Sequence, residues 1–189
     1  MEIPIMLIIF SLPSIIYIIV QAIRGMPFSE SRKNVGWTLC TGKDVLYAAV
    51  VFAILAILAF IALKFIPASV LEGASSYAGQ PRNVRSILAA LIHEAFYIAL
   101  GEEVFFRGFL GSWLFRRLGF RWGNLVQATV FLLPHLFLLA VSPQIWPVFI
   151  IQFCAGWGQG WLQYKSGSIV PSWFVHTATN LVSAISFMG

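Results

Sequence analysis

Two neighbouring carboxylates and an arginine stand inside a long apolar stretch and are the first candidates for chemistry in this sequence. Glu103 and Arg107 are four residues apart, so on a helix they share a face and can form an ion pair. Glu102 has Phe106 at the corresponding position and lacks such a partner. Two charged carboxylates repel each other in apolar surroundings, which makes Glu102 a candidate general base. A structural ion pair is an equally good interpretation of Glu103 with Arg107.

Two histidines and an asparagine provide further polar groups in the apolar C-terminal half of the chain. His176 and Asn180 are four residues apart and share a helix face, where they could also serve as hydrogen-bonding contacts between helices. His135 follows Pro134, which frees a carbonyl group that a side chain could satisfy, so a structural role is the alternative here. Together with Glu102, these residues are those needed to activate water and to stabilise an oxyanion.

The pair His93-Glu94 lies in the same apolar stretch as the two neighbouring carboxylates. A zinc-protease helix would continue as His-Glu-x-x-His, but Tyr97 occupies the last position, so this motif is absent. We interpret His93 and Glu94 as interior polar residues with a structural role.

The elements that must position these residues are membrane-spanning helices. Of the 189 residues, 59% are hydrophobic and 10% are charged, whereas soluble domains carry about 25% charged residues. The net charge of +5 does not indicate nucleic acid, because the basic residues flank apolar runs and form no single patch. The lipid bilayer is the expected partner. Cys40 and Cys154 stand apart, and neither a disulfide framework nor a zinc-type cysteine pair is visible.

About 20 apolar residues cross a bilayer as a helix, and the chain has room for six such spans. Ser142, Pro143 and Pro147 divide the longest uncharged stretch into two of them. The predicted fold is therefore an all-α, polytopic membrane helix bundle with spans at 3–23, 45–63, 86–115, two within 122–164, and 166–188. We divide it into an N-terminal part, 1–82, with two spans and a basic cytoplasmic loop, and a catalytic membrane core, 83–189.

Basic residues accumulate in the connections after spans one, three and five, which a six-span topology places on one side of the membrane. They are Arg24, Arg32, Lys33, Lys43, Arg116, Arg117, Arg121 and Lys165. This distribution predicts that these connections face the cytoplasm, across the cell membrane, with both termini outside. His176 lies eight residues beyond Ser168, about 12 Å along a helix. The polar residues are therefore expected to share one cavity that opens toward the cytoplasm.

Three motifs in a fixed order carry a resemblance to a known family. Residues 102–107 read Glu-Glu-x-x-x-Arg, residues 131–135 read Phe-x-x-x-His, and Gly-Ser-Ile-Val-Pro at 167–171 precedes His176-x-x-x-Asn180. The glycine-rich run 156–164 resembles the span before the last motif. Over roughly residues 85–185, the chain resembles the CAAX protease and bacteriocin-processing family, also called CPBP or Abi. These are intramembrane endopeptidases related to the type II CAAX prenyl protease.

The resemblance implies a role for each matched residue. Glu102 and His135 would activate the attacking water, His176 and Asn180 would stabilise the oxyanion, and the ion pair described above would hold the site together. Glu102, His135 and His176 could instead supply three ligands of a zinc site. Because an asparagine fits an oxyanion donor better than a zinc ligand, we expect a metal-free, glutamate-dependent site, with zinc as the alternative.

The expected substrate is a peptide or protein at the membrane, and nothing in this sequence indicates recognition of a prenyl group. A non-catalytic membrane scaffold or bacteriocin-immunity protein of the same fold is a second hypothesis, although the complete motif set argues against it. A small transporter subunit is a third, with the buried Glu and His residues on an ion path. The absence of repeated halves argues against that hypothesis.

Overall fold

The computed structural model describes residues 5–67, 70, 75–137, 139 and 142–189. The described chain is an all-α bundle. It begins with α1 (Ile5–Ile23), a short helix α2 (Phe28–Asn34) and α3 (Gly42–Leu63), and it ends with α5 (Trp146–Ser166) and α6 (Val170–Phe187). Between them, α4 covers Val84–Leu136 and consists of two helical arms that meet at Gly119. Residues 3 and 4 of the first predicted span lie outside the described residues.

Helix α4 contains two of the six predicted spans, because the chain reverses its direction at Gly119. This glycine has a φ of +70° and a ψ of 172°, a conformation that residues with a side chain rarely adopt. Beyond it, a Cβ on Gly123 would stand 2.9 Å from the carbonyl carbon of Leu114, whereas a straight helix would separate nine residues by about 13 Å. The predicted basic turn after span three is thereby confirmed.

The first arm of α4 combines α-helical and π-helical segments. The α-helical segment Val84–Ile92 leads into the π-helical segment His93–Ala99, and a second π-helical segment, Glu103–Gly111, follows Leu100–Glu102. The second π-helical segment contains the candidate residues Glu103 and Arg107, which agrees with the tendency of such segments to occur at functional sites. The second arm ends in a 3₁₀ turn, Leu133–Leu136.

Three of the described helices, α1, α3 and α4, are long and apolar enough to cross a membrane. Helices α5 and α6 have 21 and 18 residues, a sufficient length for a span, and carry more polar side chains. The large side chains of α1 lie mostly on the surface of the bundle, with Ile8 and Ile19 about half exposed. Such a continuous apolar surface suits contact with lipid.

The interior of the bundle is formed where α3, α5 and α6 meet. Ala48, Val51 and Leu55 of α3 pack against Leu162 of α5 and Val175 of α6. Small residues also let α5 approach the second arm of α4, as in other membrane helix pairs. There, Gln127 donates to the carbonyl group of Gly156 at 2.7 Å and Asn124 donates to that of Trp157 at 3.0 Å. The glycine-rich run therefore fixes the position of α5 in the bundle.

The three basic connections lie at one end of the bundle, which we call the basic end. The Ile169 N–H donates to the carbonyl group of Gly36 at 3.0 Å, and the Arg116 guanidinium donates to the Asn34 carbonyl at 2.8 Å. At the opposite end, the Arg82 N–H donates to the C-terminal Gly189. These contacts agree with the prediction that the three basic connections lie on one side.

Candidate active site

A fully buried ion pair lies at the centre of the site. The Nη1 atom of Arg107 stands 3.0 Å from Oε1 of Glu103, and neither side chain is exposed to any extent. Both residues lie in the second π-helical segment, four positions apart. Arg107 also donates through Nη2 to the side-chain oxygen of Gln159, and its guanidinium lies 4.1 Å from the centre of the Phe131 ring. The ion pair therefore connects both arms of α4 with α5.

His176 is the residue that joins the two neighbouring carboxylates. Its Nδ1 atom lies 2.8 Å from Oε1 of Glu103, and its Nε2 atom lies 3.7 Å from Oε2 of Glu102. The short contact assigns the Nδ1 proton to the bond with Glu103, because the carboxylate can only accept. The Nε2 atom is thereby left facing Glu102.

The two carboxylates differ in their access to open space. The side chain of Glu103 is 0% exposed, whereas that of Glu102 is 20% exposed. Glu102 also has no ion pair with Arg107 among the contacts of the described residues. The distance of 3.7 Å to His176 is too long for a direct hydrogen bond. Glu102 is therefore the accessible carboxylate, and Glu103 is the buried one.

The structure does not bring His135 into contact with this group. His135 lies on the 3₁₀ turn that contains Pro134, and its Nδ1 atom is 3.0 Å from the carbonyl oxygen of Phe131. The centre of the Phe131 ring lies 5.2 Å from that of the His135 ring and 6.0 Å from that of the His176 ring. The contact with a backbone carbonyl is the structural role that the presence of a proline suggested.

Asn180 lies beside Glu94, whereas the sequence analysis grouped it with Glu102. Its Nδ2 atom donates to Oε2 of Glu94 at 3.0 Å. The phenol of Tyr77 donates to the other oxygen, Oε1, at 2.6 Å, and lies 3.2 Å from Nδ1 of His93. Glu94 is visible in the sequence as a carboxylate in an apolar span, but its partner is 86 residues away. Sequence reasoning therefore missed its link to the predicted site.

A cavity of about 430 Å³ reaches the site. At its inner end it is lined by Phe131, Gln159, His176 and Asn180, and beyond them by apolar residues of α3 from Phe52 to Leu63. The remaining walls come from the first half of α5 and the second half of α6. All of these helix halves lie away from the basic end, where residues 36–38 form hydrogen bonds with residues 167–169. The cavity thus lies away from the basic end, whereas the sequence predicted an opening on the side of the basic connections.

The described residues do not assemble a three-ligand metal site. Glu102 and His176 approach each other, but His135, the third ligand of the zinc alternative, is turned toward a backbone carbonyl. No group of three His, Cys, Asp or Glu side chains in the described chain is arranged to hold a metal ion.

The fold and the site define a class: an α-helical membrane bundle with a buried acid–histidine–arginine group at the end of an apolar cavity. The family model described as Type II CAAX prenyl endopeptidase Rce1-like matches residues 83–182, which is 100 of the 189 residues. The chain belongs to this family, which is one of intramembrane proteases. No curated protein and no solved structure matches the chain.

Proposed function

We propose that this protein is an intramembrane endopeptidase that hydrolyses a peptide bond in a membrane-associated peptide or protein. The observation that carries the proposal concerns His176, which lines the inner end of an apolar cavity. One of its ring nitrogens contacts the buried Glu103, and the other faces the more exposed Glu102. Family membership supports protease activity at the level of the class.

In the proposed reaction, a water molecule binds beside the two side chains and contacts both Glu102 and Nε2 of His176. Glu102 accepts a proton from this water while the water oxygen bonds to the carbonyl carbon of the substrate. The proton then passes to the nitrogen of the leaving amine as the C–N bond breaks. Asn180 donates a hydrogen bond to the oxyanion that forms in between. Glu103 holds the ring of His176 in place, and Arg107 balances the charge of Glu103.

The predicted role of His135 in water activation remains a proposal, since His135 makes no hydrogen bond or ion pair with Glu102 or His176 among the described residues. The geometry favours Glu102 with His176 for this step, because these two side chains face each other at 3.7 Å and one water molecule beside them can contact both. Histidine at 135 would then act in shaping the cavity wall around Phe131.

Cleavage of a peptide library by the purified protein, analysed by mass spectrometry, tests the proposal. Glu102→Gln removes the base and keeps the size of the side chain, so cleavage should be lost while the protein remains folded. Glu30→Gln, on the exposed surface of α2, removes one carboxylate elsewhere and should leave activity unchanged. Cleavage by folded Glu102→Gln at the wild-type rate would falsify the mechanism. A folded wild-type protein that cleaves no member of the library would favour the scaffold hypothesis.

Metal dependence is decided in the same assay. We propose a metal-free reaction, so incubation with a zinc chelator should leave the rate unchanged. A loss of activity that added zinc restores would establish the zinc alternative, with His135 moved toward Glu102.

We further propose that the bundle lies in the cell membrane with its basic end in the cytoplasm, following the distribution of Lys and Arg. Under this orientation the cavity opens toward the outer half of the bilayer, and the substrate reaches the site from there. Single cysteines introduced at Ala59 and Gly167, which lie at opposite ends of the bundle, can be labelled from either side of the membrane. Labelling of position 59 only from the cytoplasm would reverse the orientation.

A further inference from the structure

Glu94 is a buried carboxylate that the proposed reaction does not use. Only 8% of the residue is exposed, and both carboxylate oxygens accept hydrogen bonds, Oε1 from Tyr77 and Oε2 from Asn180. A charged carboxylate inside a membrane bundle is costly unless such partners satisfy it. Its place beside Asn180 suggests that this cost serves the site.

A carboxamide such as Asn180 has a donor side and an acceptor side of nearly the same shape. Stabilisation of an oxyanion requires the donor side, because the acceptor oxygen would repel the developing negative charge. An ionised carboxylate can only accept, so contact with Glu94 is compatible with the Nδ2 side alone. The Nδ2 atom carries two protons, and Asn180 lines the cavity wall. One proton can therefore bind Glu94 while the other remains for the substrate.

We propose that Glu94, held by Tyr77, is a positioning residue that fixes the carboxamide of Asn180 with its N–H groups toward the substrate. The inference rests on the proposed function, since it gives Asn180 an oxyanion to bind. Glu94 thus orients a catalytic side chain and does not itself touch the reacting atoms.

Tyr77 supplies the donor that completes this arrangement. Burial, together with the hydrogen bond to Glu94, raises the pKa of Tyr77, so the phenol keeps its proton and remains a donor. Tyr77 lies in the connection between α3 and α4 and packs near Ala90 and Ala184. The orientation of Asn180 is thereby coupled to a connection outside the membrane-spanning segments.

The first arm of the test measures the orientation of Asn180 without reference to activity. Labelling with ¹⁵N-asparagine gives few side-chain amide signals, since the chain has four asparagines, and Asn180→Ala identifies the relevant one. Glu94→Gln and Tyr77→Phe should each move this signal by more than its linewidth. Tyr97→Phe is the matched control, because the Tyr97 hydroxyl makes no hydrogen bond within the described residues. A signal that stays in place in both test variants overturns the proposal.

The second arm measures kcat and KM. Loss of an oxyanion donor in Asn180→Ala should lower kcat by about 10²–10³-fold, and Glu94→Gln should lower kcat by about tenfold or more with little change in KM. In the Asn180→Ala background, Glu94→Gln should have almost no further effect, because the group it orients is gone. An equal loss in both backgrounds assigns Glu94 a structural role and overturns the proposal. If the wild-type protein cleaves nothing, the proposed function fails, and the amide signal alone decides whether Glu94 orients Asn180.

Discussion

Replacement of Glu103 by glutamine should destabilise the protein strongly, because it removes the carboxylate that is in direct contact with the buried Arg107. Both side chains are completely buried, and the other contacts of Arg107, Gln159 and the ring of Phe131, are uncharged. Breaking a buried ion pair by removing one partner costs about 3–5 kcal/mol. For a chain of this length, that loss corresponds to a decrease in Tm on the order of 10 °C.

Thermal unfolding in detergent, followed by tryptophan fluorescence, measures this effect. Glu102→Gln is the matched control, because it removes the same charge from the neighbouring position, where the side chain is 20% exposed and has no arginine partner. We expect this variant to lose less than about 1 kcal/mol. The two variants should therefore separate stability from chemistry: Glu103→Gln loses mainly the fold, and Glu102→Gln loses mainly the reaction.

A double variant tests whether the unpaired charge of Arg107 causes the loss of stability. Glu103→Gln combined with Arg107→Met removes both charges, and uncharged replacements of a buried pair are often neutral or stabilising. The Tm should return at least halfway to the wild-type value, while activity stays absent because the ring of His176 has lost its carboxylate. Wild-type stability of Glu103→Gln, or a larger loss of stability in Glu102→Gln, would refute the assignment of the ion pair.

Two further predictions concern the packing of α5 and the cavity. Gly160→Ala should lower Tm by several degrees in the same unfolding assay, because its Cβ would overlap the side chain of Asn124. Gly42→Ala, where nothing lies within 4 Å, should not. Ala56→Trp should lower kcat/KM for peptide cleavage by about tenfold or more with little change in Tm, because Ala56 lines the cavity. Ala53→Trp, one turn earlier on the exposed face of α3, should preserve kcat/KM, and equal losses in both would contradict access through this cavity.

Spacing along the sequence predicted those contacts of the site that form within a single helix. The ion pair between Glu103 and Arg107 follows from a separation of four residues, and the six helical stretches follow from the apolar runs. The start of α3 lies three residues before the predicted 45, because Asp44 accepts hydrogen bonds from the backbone N–H and the hydroxyl of Thr41 at 2.7 and 2.8 Å. Helix α2 was missed, since it lies in a polar connection without apolar periodicity.

Contacts between distant helices could not be predicted in the same way. His176 meets Glu103 across 73 residues of chain, and the contact depends on how α6 packs against α4. The separation of His135 from the site depends on the 3₁₀ turn around Pro134, whereas the motif spacing suggested a shared cavity. The position of the cavity depends on how the connection between α1 and α3 packs at the basic end, which composition does not reveal.

The charged residues of α4 depend on partners from helices that follow α4 in the chain. Each of Glu94, Glu103 and Arg107 has a partner that is synthesised later. Those partners, from α5 and α6, are Gln159, His176 and Asn180. During synthesis, the first arm of α4 therefore enters the bilayer before these groups exist, at about 2.5–3.5 kcal/mol for each charge that stays uncompensated. We expect chains that stop before α6 to be recognised and degraded by membrane quality control.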